Sequence, residues 1–461
     1  MPLNRVLNSP RFSISLPNLH PMRFSHLLGL CLFPLLAAAD SQDFPPKRQA
    51  VECTPRNGLP NFFAKAASEG EIAVAYLGGS ITAQPGYRVK TLAHLAKLYP
   101  KIHFREINAA IGGTGSDLGV FRIEHDVFKG KPDLLFVEFA VNDGGAVPVE
   151  IIRAMEGIVR KTRRSFPQCD LCFVYTFTEP MLAELQGGYF NRSTATMEIV
   201  ADHYGIPSIH MGMEAVRLAT EGSLRMKAAE AKVERVSGEQ LNVSSPMALG
   251  PDGKIPFSQD GVHPYVDTGH RLYTEAVVRS LPHIQQASKT QATLPLPEPL
   301  DPHNYQNTVM LPLDKAHQSG PWTLLPSDAG LGRQFSSRMD SLWKAEPGAE
   351  LTFRFKGSAA KIYDLVGPDC GKIEVTVDGK PSNRQRFDGY CTYSRLATTG
   401  LAAGLVESDV HEVKIRVLPE KLAKESILFE KNREDFVKNP AKYDGSNWYS
   451  GAIFLVGELV P

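Results

Sequence analysis

Five apolar segments recur through the first half of the chain, each followed by a stretch of helical periodicity. This alternation constrains the fold more than any other feature. The segments are IAVAYLGG (72–79), IHFREINAA (102–110), DLLFVEFAV (133–141), LCFVYTF (171–177) and IPSIHMG (206–212). Strands this continuously apolar suit a parallel sheet covered on both faces. Between them, VEIIRAMEGIVRKTRRS (149–165) places Ile151, Ile152, Met155, Ile158 and Val159 on one stripe and gathers Arg and Lys near its C-terminal end. A last helix is expected over 268–281. Strand–helix alternation of this kind predicts a doubly wound, three-layer α/β domain with a five-stranded parallel sheet.

Segment 214–258 interrupts the rhythm. Its first part, EAVRLATEGSLRMKAAEAKVERV, has strong helical propensity, and its second part is rich in Gly, Pro and Ser. An insertion of this length before a site motif either shapes the site entrance or is a surface excursion. SKTQATLPLPEPLDPH (288–303) then reads as a stiff, extended linker. Beyond it, ELTFRFKG (350–357), AKIYDLVG (360–367), KIEVTVDGK (372–380), HEVKIRVL (411–418) and GAIFLVGELV (451–460) alternate apolar and polar residues. Turn signals such as Asp378-Gly379 separate them. They predict a C-terminal antiparallel β-sandwich. Trp322, Trp343 and Trp448 all lie in this part, as do Tyr390, Tyr393, Tyr443 and Tyr449. Exposed aromatics on such a domain present flat apolar faces to sugar rings, whereas buried ones are core. The charged stretch 419–447 reads as a helical flap or a solvated face.

The amino terminus reads as a leader. LLGLCLFPLLAAA (27–39) follows Arg23 and His26 and ends in small residues, which fits a secretory signal cleaved near Ala39–Asp40. Met22 would start a signal of ordinary length. About 13 apolar residues interrupted by Pro34 are too few to span a bilayer. The expected organisation is therefore a signal at 1–39, an α/β domain at 40–287, a linker at 288–303 and a β-sandwich at 304–461, with a secreted or periplasmic destination. Lys and Arg number 50 and Asp and Glu 50. Removing the leader takes away Arg5, Arg11 and Arg23 and no acidic residue, so the mature chain is slightly acidic. That balance excludes a generally basic nucleic-acid binder. Six cysteines are too few for a disulfide scaffold, and Cys31 leaves with the leader. Of the other five, Cys370 and Cys391 are the candidate disulfide, closing a loop whose crosslink would contribute about 3 kcal/mol. Cys169-x-x-Cys172 has redox spacing but opens an apolar run, which favours a buried core pair.

Four strand ends carry the chemistry. Gly78-Gly79-Ser80-Ile81-Thr82 puts a serine at the carboxyl edge of the sheet, where open α/β folds bind ligands. Asp260-Gly261-Val262-His263-Pro264 comes after the fifth strand. An Asp and His three apart can hydrogen-bond through Nδ1, leaving Nε2 to take a proton from a serine. Asn108-Ala109-Ala110-Ile111-Gly112-Gly113-Thr114-Gly115 and Val141-Asn142-Asp143-Gly144 offer oxyanion donors after the second and third strands. Asp143 either helps to position Asn142 or caps its turn. Taken singly, each of these is an ordinary turn or cap; the order and placement make the constellation. His125, His203, His210 and His270 have no second ligand at metal spacing. No phosphate loop, dinucleotide fingerprint or metal motif competes, so no cofactor and no metal are expected. Asn191-Arg192-Ser193 and Asn242-Val243-Ser244 are glycosylation sequons.

On these residues, over about 70–285, the chain resembles the SGNH (GDSL-type) hydrolases, a family of esterases, lipases and acetylesterases. The family's four blocks fall in order on Ser80, Gly113, Asn142 and the Asp260–His263 pair. The departure is Gly79, where most members carry aspartate. The resemblance implies a flavodoxin-like α/β/α fold and metal-free ester hydrolysis. It implies Ser80 as nucleophile, His263 as base, Asp260 as its orienting acid, and an oxyanion hole of Ser80, Gly113 and Asn142. With the leader and the added β domain, the expected function is a secreted carbohydrate esterase acting on short, acetyl-type esters of a small molecule or glycan. The alternatives are a lipase or lysophospholipase, an acyltransferase, and a glycan-binding protein with an inactive hydrolase domain.

Overall fold

A computed structural model describes residues 44–228, 246–289 and 296–461. The leader with Cys31, the Asn242 sequon and linker residues 290–295 lie outside the described residues. The five apolar segments form parallel strands β2 (Gly70–Gly78), β3 (Ile102–Asn108), β4 (Leu134–Glu138), β5 (Asp170–Tyr175) and β6 (Ser208–His210). A two-residue strand, β1 (Cys53–Thr54), adds antiparallel to β6 and closes one edge, giving the order β1-β6-β5-β4-β2-β3. The chain leaves β2 for β3 on one side and returns to β4 on the other. The loops after β2 and β4 therefore part at the carboxyl edge, where such sheets bind ligands.

Alternate side chains of each strand feed two cores. Ile72, Val74, Tyr76, Phe136 and Val174 pack under helices Pro60–Ala66, Tyr87–Leu98 and Gly269–Ala287. Ala75, Leu77, Val137 and Phe173 face helices Ser116–Asp126, Pro148–Ser165 and Arg192–Tyr204. The stripe read from 149–165 is buried at all five positions. Segment 214–258 departs from the helical expectation. Helix Met213–Thr220 stops early, and β7 (Leu224–Lys227) pairs in parallel with β8 (Ile255–Ser258). That pairing satisfies backbone groups which a longer helix would have bonded internally.

The C-terminal domain is antiparallel throughout. Its strands are β9 (Thr308–Pro312), β10 (His317–Ser319), β11 (Trp322–Leu324), β12 (Trp343–Ala345), β13 (Glu350–Val366), β14 (Lys372–Val377), β15 (Lys380–Gln385), β16 (Arg395–Ala402), β17 (Val410–Val417) and β18 (Trp448–Val460). The two strands read at 350–357 and 360–367 are one. Gly357 and Gly457 face each other with φ of +153° and +135°, and the register shifts between Gly357 and Ala359. A Cβ at Gly357 would sit 2.1 Å from the Val456 carbonyl oxygen, so only glycine lets the two strands bulge together and continue. The long β13 pairs with β17 over its first half and β16 over its second, while β18 runs beside both halves.

The two domains share a core. Phe454 of β18 stacks on Phe121 of the α/β domain at 5.0 Å and on Tyr363 at 5.1 Å. Residues 296–301 run along the α/β domain, where the Pro297 and Glu298 carbonyls accept from Arg160 and His203. The Leu300 and Asp301 amides donate to the buried Glu156 carboxylate, so this part of the linker is bound rather than free. The excursion at 419–447 is not merely a solvated face. The buried Lys424 ammonium donates to the carbonyls of Pro368, Tyr443 and Gly445 and pins it down. Trp448, Tyr443 and Tyr449 are core, whereas Tyr390 and Tyr393 are 51% and 57% exposed. The candidate crosslink is not formed, and Cys370 and Cys391 are both free, buried thiols. The Cys370 sulfur turns to the Leu365 carbonyl at 3.9 Å, while Cys391 bonds the Asp388 amide at 3.2 Å. Cys169 and Cys172 are also free and buried, as core residues.

If the seam is a true core, Phe454→Ala should cost about 3–5 kcal/mol, the usual range for a buried Phe truncation. Chemical denaturation of the variant checks this, and a loss below about 1 kcal/mol would mean the domains merely touch.

Candidate active site

Ser80 begins a one-turn helix, Ser80–Ala83, directly after β2. His263 comes after β8, on the turn that leads to helix Gly269–Ala287. Their side chains meet across the carboxyl edge. Ser80 Oγ lies 2.9 Å from His263 Nε2, and His263 Nδ1 lies 2.7 Å from Asp260 Oδ2. The second Asp260 oxygen accepts the amides of Val262 at 2.9 Å and His263 at 2.8 Å. Burial pushes the Asp260 carboxyl up, but the bonds from the His263 ring and from the two amides outweigh it and hold it down at about 2. Asp260 is thus an anion throughout the working pH range. It fixes Nδ1 as a donor and leaves Nε2 free to accept the serine proton.

The oxyanion candidates converge on the same place. Gly112 stands against Ser80, since a Cβ there would lie 3.6 Å from the serine Cβ. Gly113 comes next at φ +76°, a conformation that suits glycine and turns the loop past the nucleophile. The Asn142 side chain lies over Gly79, where a Cβ would come within 2.0 Å of Asn142 Oδ1. The absence of a side chain at Gly79 is therefore what leaves room for Asn142.

Two buried charged residues hold these loops, and neither was among the expected site residues. Arg122 is 1% exposed and bonds the carbonyls of Ala109 and Gly78, which tie the second loop to the end of β2. Asp126 pairs with it at 2.7 Å. Glu138 ends β4 beneath Ser80. Each is visible in the sequence as a charge within an apolar run, but the run alone does not say what the charge meets. Asp143, 3% exposed, accepts the Ser116 amide at 3.0 Å and so braces the oxyanion loop, while its second oxygen finds no partner. Burial pushes its carboxyl up to about 7, against the pull of the Ser116 hydrogen bonds.

A cavity of about 340 Å³ opens beside the oxyanion donors. Gly113, Ser116, Asn142, Asp143 and Glu150 line it from one domain and Thr398 of β16 from the other. At Glu150 it meets a second cavity of about 610 Å³ in the seam, lined by Arg153, His303 and Arg384 among others. The other histidines lie apart from this chemistry. His210 is buried among Tyr175, Phe177 and Phe190, and burial lowers it to about 4. His270 accepts the Tyr87 amide, and His125 bonds Asp126 and Asp340. No group of three or more metal-ligating side chains occurs among the described residues.

Neither the protein-family models nor the curated proteins include a match to this sequence. Solved structures do match in fold. A two-domain esterase active on acetylated mannans, crystallised with mannopentaose, is 20% identical. It aligns over 89% of this chain and 98% of its own, with a TM-score of 0.61. A second structure of a two-domain esterase active on acetylated mannans aligns over 88% and 98%, at 20% identity and a TM-score of 0.62. An acetylxylan esterase from Geobacillus stearothermophilus aligns over 46% of this chain and 94% of its own, at 18% identity and a TM-score of 0.33. The likeness to these two structures shows a shared fold, an α/β domain joined to a second, β-rich domain.

Two outcomes test this geometry. Gly79→Asp, which puts a side chain where Asn142 lies, should displace Asn142 and lower kcat by about 10²-fold, the scale of one lost oxyanion donor; steady-state kinetics with an acetyl ester reads it. Asp143 should make stability fall as pH rises. Below about pH 4 both folded and unfolded chains hold its proton, and between 4 and 7 only the folded chain does. Asp143→Asn should therefore melt progressively higher relative to the parent from about pH 5 to about pH 8, and a constant difference would refute the shift.

Proposed function

We propose that this protein is a secreted serine esterase that removes short acyl groups, acetyl foremost, from carbohydrates. The observation that carries this reading is the continuous chain Ser80 Oγ, His263 Nε2, His263 Nδ1, Asp260 Oδ2 at the carboxyl edge, beside the Gly113 loop and Asn142. In this reading His263 takes the Ser80 proton as Oγ attacks the ester carbonyl. The oxyanion is met by the Ser80 and Gly113 amides and the Asn142 side chain. His263 then gives its proton to the leaving alcohol, and water repeats the sequence on the acyl-enzyme.

A carbohydrate leaving group is supported by the lining of the neighbouring cavity. Asp117, Glu150 and Thr398 offer acceptors and a hydroxyl suited to sugar hydroxyls, beside the small apolar surface of Leu118, Ala146 and Ile151. The shared fold with a two-domain esterase active on acetylated mannans supports the same class. Export rests on the leader at 27–39, and N-terminal sequencing of protein recovered from the medium tests cleavage near Ala39–Asp40.

An esterase of this kind hydrolyses acetyl esters and releases acetate from acetylated glycans, with activity falling off as the acyl chain lengthens. Ser80→Ala and His263→Ala should each lose at least about 10³-fold in kcat. A preference for long-chain esters would overturn the carbohydrate assignment, and full activity in Ser80→Ala would overturn the mechanism.

A further inference from the structure

The nucleophile sits on an unusually weak piece of structure. Helix Ser80–Ala83 has four residues and no side-chain cap. A single turn fixes several dihedral angles for one hydrogen bond and does not persist unaided. The residue before it, Gly79, has no side chain to contribute, and Asn142 occupies the space that one would need. The rigidity of Ser80 must come from elsewhere.

It comes from below. The Glu138 carboxyl is 1% exposed, and Thr82 Oγ1 bonds one of its oxygens at 2.9 Å while Thr176 Oγ1 bonds the other at 2.7 Å. The Gly79 amide bonds the same carboxyl, and Thr82 Oγ1 is shared with the Tyr87 hydroxyl at 2.8 Å. One group therefore grips the residue before Ser80 and the residue two after it, and ties both to the ends of β4 and β5. No lysine or arginine pairs with Glu138 among the described residues, and burial raises its carboxyl above the ordinary carboxylate range. The Gly79 amide and the Thr82 and Thr176 hydroxyls all donate to this one carboxyl, so its buried oxygens are satisfied by the groups it holds.

We propose that Glu138 is a positioning residue for Ser80, clamping both flanks of the nucleophile turn so that Oγ stays aligned with His263 Nε2. The proposal rests on the reading of Ser80 as nucleophile. It assigns to a strand-end glutamate a task that Gly79 cannot perform.

The test uses the full-length chain and four variants, Glu138→Ala, Glu138→Gln, Thr82→Val and Thr82→Ser. Each is characterised by kcat and KM on p-nitrophenyl acetate, by the rate of fluorophosphonate labelling at Ser80, and by thermal midpoint. Glu138→Ala and Thr82→Val should lower kcat and labelling rate by about 10²-fold, the cost of a misplacement near 1 Å, with KM within about threefold. Glu138→Gln, an isosteric group that keeps a carbonyl acceptor in the clamp, and Thr82→Ser should recover to within about fivefold of the parent at a comparable midpoint. A role confined to stability would move the midpoint alone, or leave Glu138→Gln as poor as Glu138→Ala, and either result overturns the proposal. If the parent labels at Ser80 but cleaves no acetyl ester, the labelling rates still decide the clamp and only the substrate reading fails. Absence of labelling in the parent overturns the nucleophile and the clamp together.

Discussion

Burial of a parallel sheet on both faces is the constraint on which the rest of the structure depends. Strands β2, β4 and β5 are apolar nearly throughout because helices cover them above and below. Polar chemistry is thereby confined to the strand ends, and the carboxyl end is where loops from different strands meet. Ser80, Gly113, Asn142 and His263 stem from four separate connections and converge only there. Two of the charges that enter the layers bridge these loops. Arg122 gathers the carbonyls of Gly78 and Ala109, and Glu138 gathers Thr82 and Thr176. Both are high-stakes contacts, since a buried polar group left unpaired costs far more than a satisfied one contributes.

The β domain is integral to this arrangement. Its aromatic face completes the core over helix Ser116–Asp126, through Phe121, Phe454 and Tyr363. That helix starts at the end of the oxyanion loop, and Lys361 of β13 pairs with Asp117 in its first turn at 3.1 Å. The packing that holds the two domains together thus also fixes the element that carries Gly113. Thr398 reaches the cavity beside the oxyanion donors as a result of the same docking.

Much of this was legible in the sequence, for physical reasons that can be named. Doubly buried strands must be continuously apolar, so β2 to β6 stand out, and the Asp260–His263 spacing declares a local hydrogen bond. Long-range consequences were not legible. Nothing in ELTFRFKG and AKIYDLVG says that Gly357 will meet Gly457 and merge two strands into one. The Cys370–Cys391 spacing is compatible with a crosslink, but spacing cannot say that Cys370 will turn to Leu365 and Cys391 to Asp388. Alternation likewise marks Tyr363 and Phe454 as strand residues without revealing that their face covers a helix of the other domain. The bound segment at Leu300–Asp301 reads only as a stiff, extended linker because its partner, Glu156, lies far back in the chain.

Gly79 and Glu138 are best understood as one feature. An aspartate at position 79 would need the volume that the Asn142 amide fills, so one of the two side chains would have to shift. With glycine there, Asn142 lies close over the nucleophile turn, but the turn loses a side chain that could brace it. A carboxyl rising from β4 reaches the same backbone from the opposite side without entering the oxyanion region. The Gly79 amide and the Thr82 and Thr176 hydroxyls all donate to that one carboxyl, so a single buried group holds the turn to the ends of two strands.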